Sequence, residues 1–203
     1  MITKTLIELN RLFDLLNKEF FESKLIQPII IVQRKVKKNT LGTCSNNPVW
    51  LNKKNEENDN KYEITLSGEY LNRTNEEIVA TLLHEMIHLY CSQNKIKDTS
   101  NNCVYHNKKF KEEAEKRGLI ISKDKTIGWS LTKLKPETIE LIKKFKIDDS
   151  AFEYYRKSLL DLPKTTTTIY KYICPKCNLK ISHYKEVNLI CGDCKVPFQK
   201  RED

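Results

Sequence analysis

Between Thr5 and Phe21 apolar side chains fall at Leu6, Ile7, Leu9, Leu12, Phe13, Leu15, Leu16, Phe20 and Phe21, with charged residues between them. Steps of three and four residues match the helical repeat and predict an amphipathic helix with a broad buried face. Pro28 stops any helix. The β-branched Ile29, Ile30, Ile31, Val32 and Val36 then predict a strand. Gly42 and the run Ser45-Asn46-Asn47-Pro48 mark turns. Residues 52–61 hold only Asn and charge, so they read as a loop. Tyr62, Ile64 and Leu66 alternate with Glu63, Thr65 and Ser67, the pattern of a half-buried strand.

Thr74-Asn75-Glu76-Glu77 has the form of a capping box. The apolar run Ile78, Val79, Leu82, Leu83, Met86, Ile87 and Leu89 predicts a helix behind it. Residues 94–102 are polar and loop-like. A second, polar helix is expected from about Asn107 to Arg117, with Gly118 in the stop position. Gly128-Trp129 reads as a turn, Pro136 opens a helix to about Phe145, and Ser150 to Leu160 suggests another. Pro163-Lys164 and the four threonines after it break the pattern. The expected organisation is a domain over 1–162, a linker over 163–169 and a small unit over 170–203.

The 203 residues carry 36 Lys and Arg against 27 Asp and Glu, a net charge of +9. That length suits one ordinary domain with a small appendage. No stretch approaches the roughly 20 apolar residues of a membrane span, so no membrane partner is expected. The charged N-terminal helix does not resemble an export signal, which points to a reducing cytoplasm and to a use other than disulfides for the seven cysteines. Residues 164–203 hold eight basic and four acidic side chains. Such an excess suits either plain solubility or an anionic partner such as nucleic acid. Four zinc-bound thiolates there would contribute −2 and halve it.

The chemistry lies in His84-Glu85-Met86-Ile87-His88. Two histidines four apart on a helix share a face one turn apart and can reach one ion. Glu85 between them is placed to move a proton as general base. Zinc takes nitrogen ligands and keeps a position open for water. Asn94 stands six residues after His88, where a metzincin would have its third histidine. His106, 18 residues after His88 and followed by Phe110 on the same face, is the favoured third ligand, with Glu112 or Glu113 as the rival.

The segment Tyr62–Ser67, then Tyr70-Leu71, then Thr81 to His88, then His106 with Phe110, resembles the SprT-like metalloprotease domain shared by bacterial SprT-like proteins and Spartan-type proteases. Leu41-Gly42 and Trp50 suit that pattern too. The resemblance covers about residues 5–120. It implies His84, His88 and His106 as zinc ligands, Glu85 as general base, and action on proteins at DNA. The family usually has Gly after the third histidine, where this chain has Asn107. The further targeting modules of Spartan are expected to be missing.

Cys174-Pro175-Lys176-Cys177 and Cys191-Gly192-Asp193-Cys194 are two Cys-x-x-Cys pairs 13 residues apart. Their spacing is that of a zinc ribbon. Four protein ligands leave no position for water, so this zinc is structural, and a piece of this size needs its metal to fold. His183 reads as a hairpin residue. Tyr170, Tyr172, Tyr184 and Phe198 interleave with seven basic residues, which suits either single-stranded nucleic acid or a small aromatic core. Cys44, Cys91 and Cys103 fit no zinc pattern and read as packing residues. Tyr90 and Tyr105 could each donate to an oxyanion, though packing is the simpler role.

The fold expected is α+β: a small, mainly antiparallel sheet from residues 28–67 packed on helices, one carrying His84, Glu85 and His88, plus the ribbon. The strand near Tyr62–Ser67 should form or neighbour an edge that receives an extended substrate. The expected function is a zinc endopeptidase with one catalytic and one structural Zn²⁺, a protein substrate, and single-stranded DNA as a partner. The alternative is a zinc-dependent nucleic-acid-binding or regulatory protein without proteolysis.

Overall fold

A computed structural model describes residues 2–34, 39–54, 59–158 and 168–201. The first helix, α1 (Ile2–Phe21), buries Leu9, Leu12, Phe13, Leu16 and Phe21. Its apolar face is narrower than the pattern suggests, because Ile7 is 65% exposed. It also buries Glu8, whose carboxylate accepts from Arg11 at 2.6 and 2.8 Å and from the backbone of Asp148 at 3.2 Å. The Arg11 hydrogen bond outweighs the cost of burial and holds that carboxyl below its usual range. Asn17, near the end of α1, accepts from the N–H of Leu25 and donates to its carbonyl, both at 3.1 Å.

Two small sheets follow. In the first, β3 (Glu63–Ser67) lies between β1 (Ile29–Gln33), parallel to it, and β2 (Gly42–Cys44), antiparallel to it. Val36, expected in β1, lies outside the described residues, as do 55–58 within the expected loop. The alternation expected of a half-buried β3 fails. Thr65 and Ser67 are as buried as Ile64 and Leu66, so both faces of β3 are covered. The Ser67 hydroxyl is satisfied by donating to the Thr40 carbonyl.

The second sheet runs β4 (Thr99–Ser100), β5 (Tyr105–His106), β7 (Gly128–Leu134), β6 (Leu119–Asp124). None of these strands was foreseen, and Gly128-Trp129, read as a turn, opens β7, the turn itself falling at residues 125–127. Its hairpin is half-buried, Leu119 and Ile121 inward with Ile120 and Ser122 outward, and its polar residues hide the period. Most ladders are antiparallel, but β1–β3 and β5–β7 are parallel.

Helix α2 (Asn75–Gln93) threads between these layers, packing on α1, β2, β3, β7 and α3 (Lys108–Lys116). The capping box is present: Thr74 accepts from the Glu77 N–H and Glu77 reaches back to the Thr74 N–H. Being enclosed, α2 buries residues on all sides, Glu85 among them. Gly118 ends the α3 segment at φ +82°, where a Cβ would meet Thr138 Oγ1 at 2.4 Å. Pro136 opens α4 (Pro136–Lys143). The helix expected over Ser150–Leu160 is not formed in the described part. Residues 149–152 make one 3-10 turn, anchored where Thr5 donates to the Ala151 carbonyl at 2.6 Å. Residues 159–160 and 163–167, the rest of that expected helix and nearly all of the linker, lie outside the described residues.

The chain divides into two compact units, Met1–Lys157 and Ser158–Asp203. In the second, β8 (Tyr170–Ile173) is flanked by β9 (Lys180–His183) and β10 (Gln199–Arg201), all antiparallel. None of the described helices is long and apolar enough to cross a membrane.

Replacing Asn17 with Ala leaves the buried Leu25 peptide groups without their partner. Urea unfolding should show a loss of about 2 kcal/mol, the cost of unpaired buried polar groups.

Candidate metal centres

Among the described residues, two clusters of donor atoms have the geometry to hold a metal ion: His84, His88 and His106 in the first unit, and the four cysteines of the second. His84 and His88 project from successive turns of α2, and His106 closes β5 just before α3. Their Nε2 atoms form a nearly equilateral triangle with sides of 3.2, 3.2 and 3.1 Å. The ring of Phe110, fully buried, packs against all three imidazoles with centroids 4.6, 4.6 and 4.8 Å away.

The outer nitrogens show which way the lone pairs face. The His88 Nδ1 lies 2.6 Å from the Asp98 carboxylate, and the His106 Nδ1 lies 3.2 Å from the Ile127 carbonyl. The His84 Nδ1 lies 2.7 Å from the Thr132 hydroxyl, which itself donates to the Ser130 carbonyl. All three partners accept, so each Nδ1 carries the proton and each Nε2 turns a lone pair inward. Three lone pairs at this distance repel unless a cation lies between them. Nitrogens around a tetrahedral ion at the zinc–nitrogen distance are about 3.3 Å apart, so the triangle fits zinc.

The electrostatics agree. Burial lowers His84 well below the ordinary imidazole value, with the other two imidazoles adding to it. Burial and His88 take His106 down to about 4. Burial also opposes protonation of His88, but the Asp98 hydrogen bond and the Glu85 charge outweigh it and raise that imidazole. Metal ligation needs neutral imidazoles, which His84 and His106 are across the neutral range. Glu85, buried next to His84 in the helix, is pushed up to about 7 by desolvation, partly offset by His88.

Glu85 faces strand β2. A Cβ on Gly42 would meet Glu85 Oε1 at 2.9 Å and the Thr65 carbonyl at 3.0 Å, so the missing side chain makes the room for that carboxylate. The N–H of Ser67 donates to Leu41 and that of Ser45 to Glu63. Residues 41 and 45 therefore face β3, and Gly42 and Cys44 present their peptide groups to the free edge of the sheet. The strand expected to form or neighbour an edge, β3, neighbours the edge strand β2.

The rival third ligands do not join the site. Glu113 pairs with Lys116 at 2.7 Å and Arg117 at 2.6 Å, and Glu112 is exposed. Asn107 adopts an ordinary extended conformation (φ −91°) and caps α3 by accepting from Lys109 and Phe110. Tyr90 packs beneath the Arg117 guanidinium at 3.7 Å, and the Tyr105 ring covers Gly128. Burial raises the thiols of Cys44 and Cys91, which makes both poor nucleophiles. Exposed Cys103 sits in a left-handed turn, with Asn46 donating to its sulfur at 2.9 Å.

Asp98, Thr132 and Ile127 were missed, and the close approaches at Gly42 and Gly128 were read only as turns. Asp98 lies in a polar stretch with no period, and Thr132 in a strand that was not foreseen. Gly128 is the β7 residue paired with His106; at φ +75°, a Cβ there would come within 2.2 Å of the His106 carbonyl.

In the second unit the four sulfurs lie within 4.8 Å of one another, Cys177 and Cys191 at 3.7 Å. A disulfide is about 2.05 Å, whereas sulfurs around a tetrahedral zinc are about 3.8 Å apart. The two knuckles match. Asn178 N–H donates to Cys174 and Lys195 N–H to Cys191, and Asn178 and Lys195 both take left-handed φ, +59° and +57°. The Cys177 N–H draws the Cys174 thiol down to about 7. The ring-bearing residues divide. Tyr172 is core, its hydroxyl accepting from the Val187 N–H, whereas Tyr184 is 64% exposed and stacks on His183 at 4.5 Å. Lys200 lies over the Tyr170 ring at 4.7 Å.

Gly128→Ala should push the His106 strand out of register with its neighbours. The full chain is then expected to take up less Zn²⁺ at the imidazole cluster than wild type, measured by metal analysis after gel filtration.

No significant match was found among curated proteins or among solved structures. A family model does match: the SprT-like family, over residues 9–124. That span runs from α1 to the end of β6 and takes in His84, Glu85, His88, Asp98 and His106, more than half of the chain. The chain belongs to the SprT-like family.

Proposed function

We propose that this chain is a zinc-dependent endopeptidase, and that it acts on proteins bound or crosslinked to DNA. The observation that carries the first part is the triangle of inward-facing Nε2 atoms beside a buried carboxylate that abuts a free sheet edge. Family membership supports a metalloprotease-type activity. Action at DNA rests on the family resemblance and on the basic, partly aromatic second unit.

Bound zinc supplies a Lewis acid that polarises a carbonyl and makes water a stronger acid. The protein's residues do the rest. His84, His88 and His106 offer their Nε2 atoms. The peptide groups of Gly42 and Cys44 hold an extended substrate as an added strand. Glu85 takes a proton from the attacking water as its oxygen bonds to the scissile carbonyl carbon. It passes that proton to the departing nitrogen as the carbon–nitrogen bond breaks. Burial raises Glu85 above an ordinary carboxyl, which suits an acid that must give the proton back. Phe110 closes the far side of the imidazoles against water.

Glu85→Gln should lower cleavage of a DNA-binding protein by roughly a hundredfold or more while leaving zinc uptake intact. Equal inertness of both proteins with zinc bound would leave the non-proteolytic reading. Cleavage of equal rate with and without single-stranded DNA would remove the DNA clause alone.

For the second unit, Tyr184→Ala should weaken binding to a single-stranded oligonucleotide by about tenfold, the worth of one stacked base. The zinc content should not change. Unchanged affinity in a titration at fixed salt would assign the exposed rings no part in binding.

A further inference from the structure

Asp98 is 8% exposed and its carboxylate lies 2.6 Å from the His88 Nδ1. It sits on a polar segment between α2 and β4, held on its α2 side by Ile96, which packs against the core and donates its N–H to the Cys91 carbonyl at 2.8 Å. Asn107 ties that segment down. Its backbone N–H donates to the Asp98 carbonyl at 2.9 Å, and its side-chain amide donates to the Lys97 carbonyl at 2.8 Å. The same side chain turns its oxygen to the N–H groups of Lys109 and Phe110, at 2.8 and 3.3 Å. Asn107 also directly follows His106. One residue thus joins the segment that orients His88, the strand end that presents His106, and the first turn of the helix whose Phe110 backs all three rings.

We propose that Asp98 and Asn107 are coupled positioning residues of the metal centre: Asp98 fixes the His88 tautomer and ring, and Asn107 holds Asp98 in register with His106. This rests on the reading that the three imidazoles hold zinc. Neither residue touches the ion or a substrate. Carboxylates behind a ligating imidazole act by fixing its orientation and basicity. The device here has two stages, since the carboxylate is itself held by the residue next to another ligand.

The test uses the full chain, with the four-thiol site as internal reference. Zn²⁺ affinity is measured by competition with a chromophoric chelator. Asp98→Ala should weaken the imidazole site by roughly tenfold to a hundredfold. Asp98→Asn keeps an oxygen acceptor and should recover part of that loss. Asn107→Ser keeps a helix cap but is too short to reach Lys97, so it should weaken the site several-fold. If the two residues act as one unit, Asn107→Ser adds less than about twofold in the Asp98→Ala background. A second readout needs no metal. Nitrogen-15 spectra of the histidine rings in the zinc-free chain should show His88 protonated at Nδ1 in wild type and shifted toward Nε2 in Asp98→Ala.

Wild-type affinity in Asp98→Ala, or an unshifted His88 tautomer, overturns the role of Asp98. Fully multiplicative effects of the two substitutions overturn the coupling. A wild-type chain that takes up zinc only at the thiols overturns the metal reading instead, and the tautomer shift still judges Asp98.

Discussion

Three lone pairs pointed at one another across about 3 Å are the constraint on which the first unit depends. Left alone they repel, and nothing in ordinary packing would choose that arrangement. It is held by what stands behind each ring: a carboxylate for His88, a hydroxyl for His84 and a main-chain carbonyl for His106. These acceptors belong to three different parts of the chain, and the fold's task is to bring them to the backs of three rings at once. Both small sheets, the enclosed helix and the Phe110 floor serve that end.

The enclosed helix also explains why its sequence looked unlike an ordinary amphipathic one. Helix α2 is covered by α1, both sheets and α3, so apolar residues occupy nearly every side. Its polar exceptions, His84, Glu85 and His88, stand out because each would be costly to bury without a purpose. That cost made the centre of the site legible from residues alone. The capping box at Thr74 and the stop at Gly118 were equally legible, since each satisfies local backbone geometry that a few neighbouring residues determine.

What could not be read was set by distance along the chain. Asp98 and Thr132 have no local signature, because an acceptor behind a ring needs only to be in place. The β6–β7 hairpin alternates lysine and serine with its apolar residues, so its period was faint. The expected helix after Ser150 failed for a related reason. Ala151 and Phe152 are buried in a single turn against α1, where tertiary contact decides the conformation over local propensity. In the ribbon the reverse holds: two knuckles with the same left-handed residue after the second cysteine are local structures, and four spaced cysteines sufficed to find them.

The acceptors behind two of the imidazoles, Ile127 and Thr132, come after all three rings in chain order. A nascent polypeptide that has emerged only through α3 owns every ring and the acid between them, yet two of those rings still lack their acceptors. The order of synthesis therefore keeps the centre incomplete until the hairpin has left the ribosome and closed against the helix.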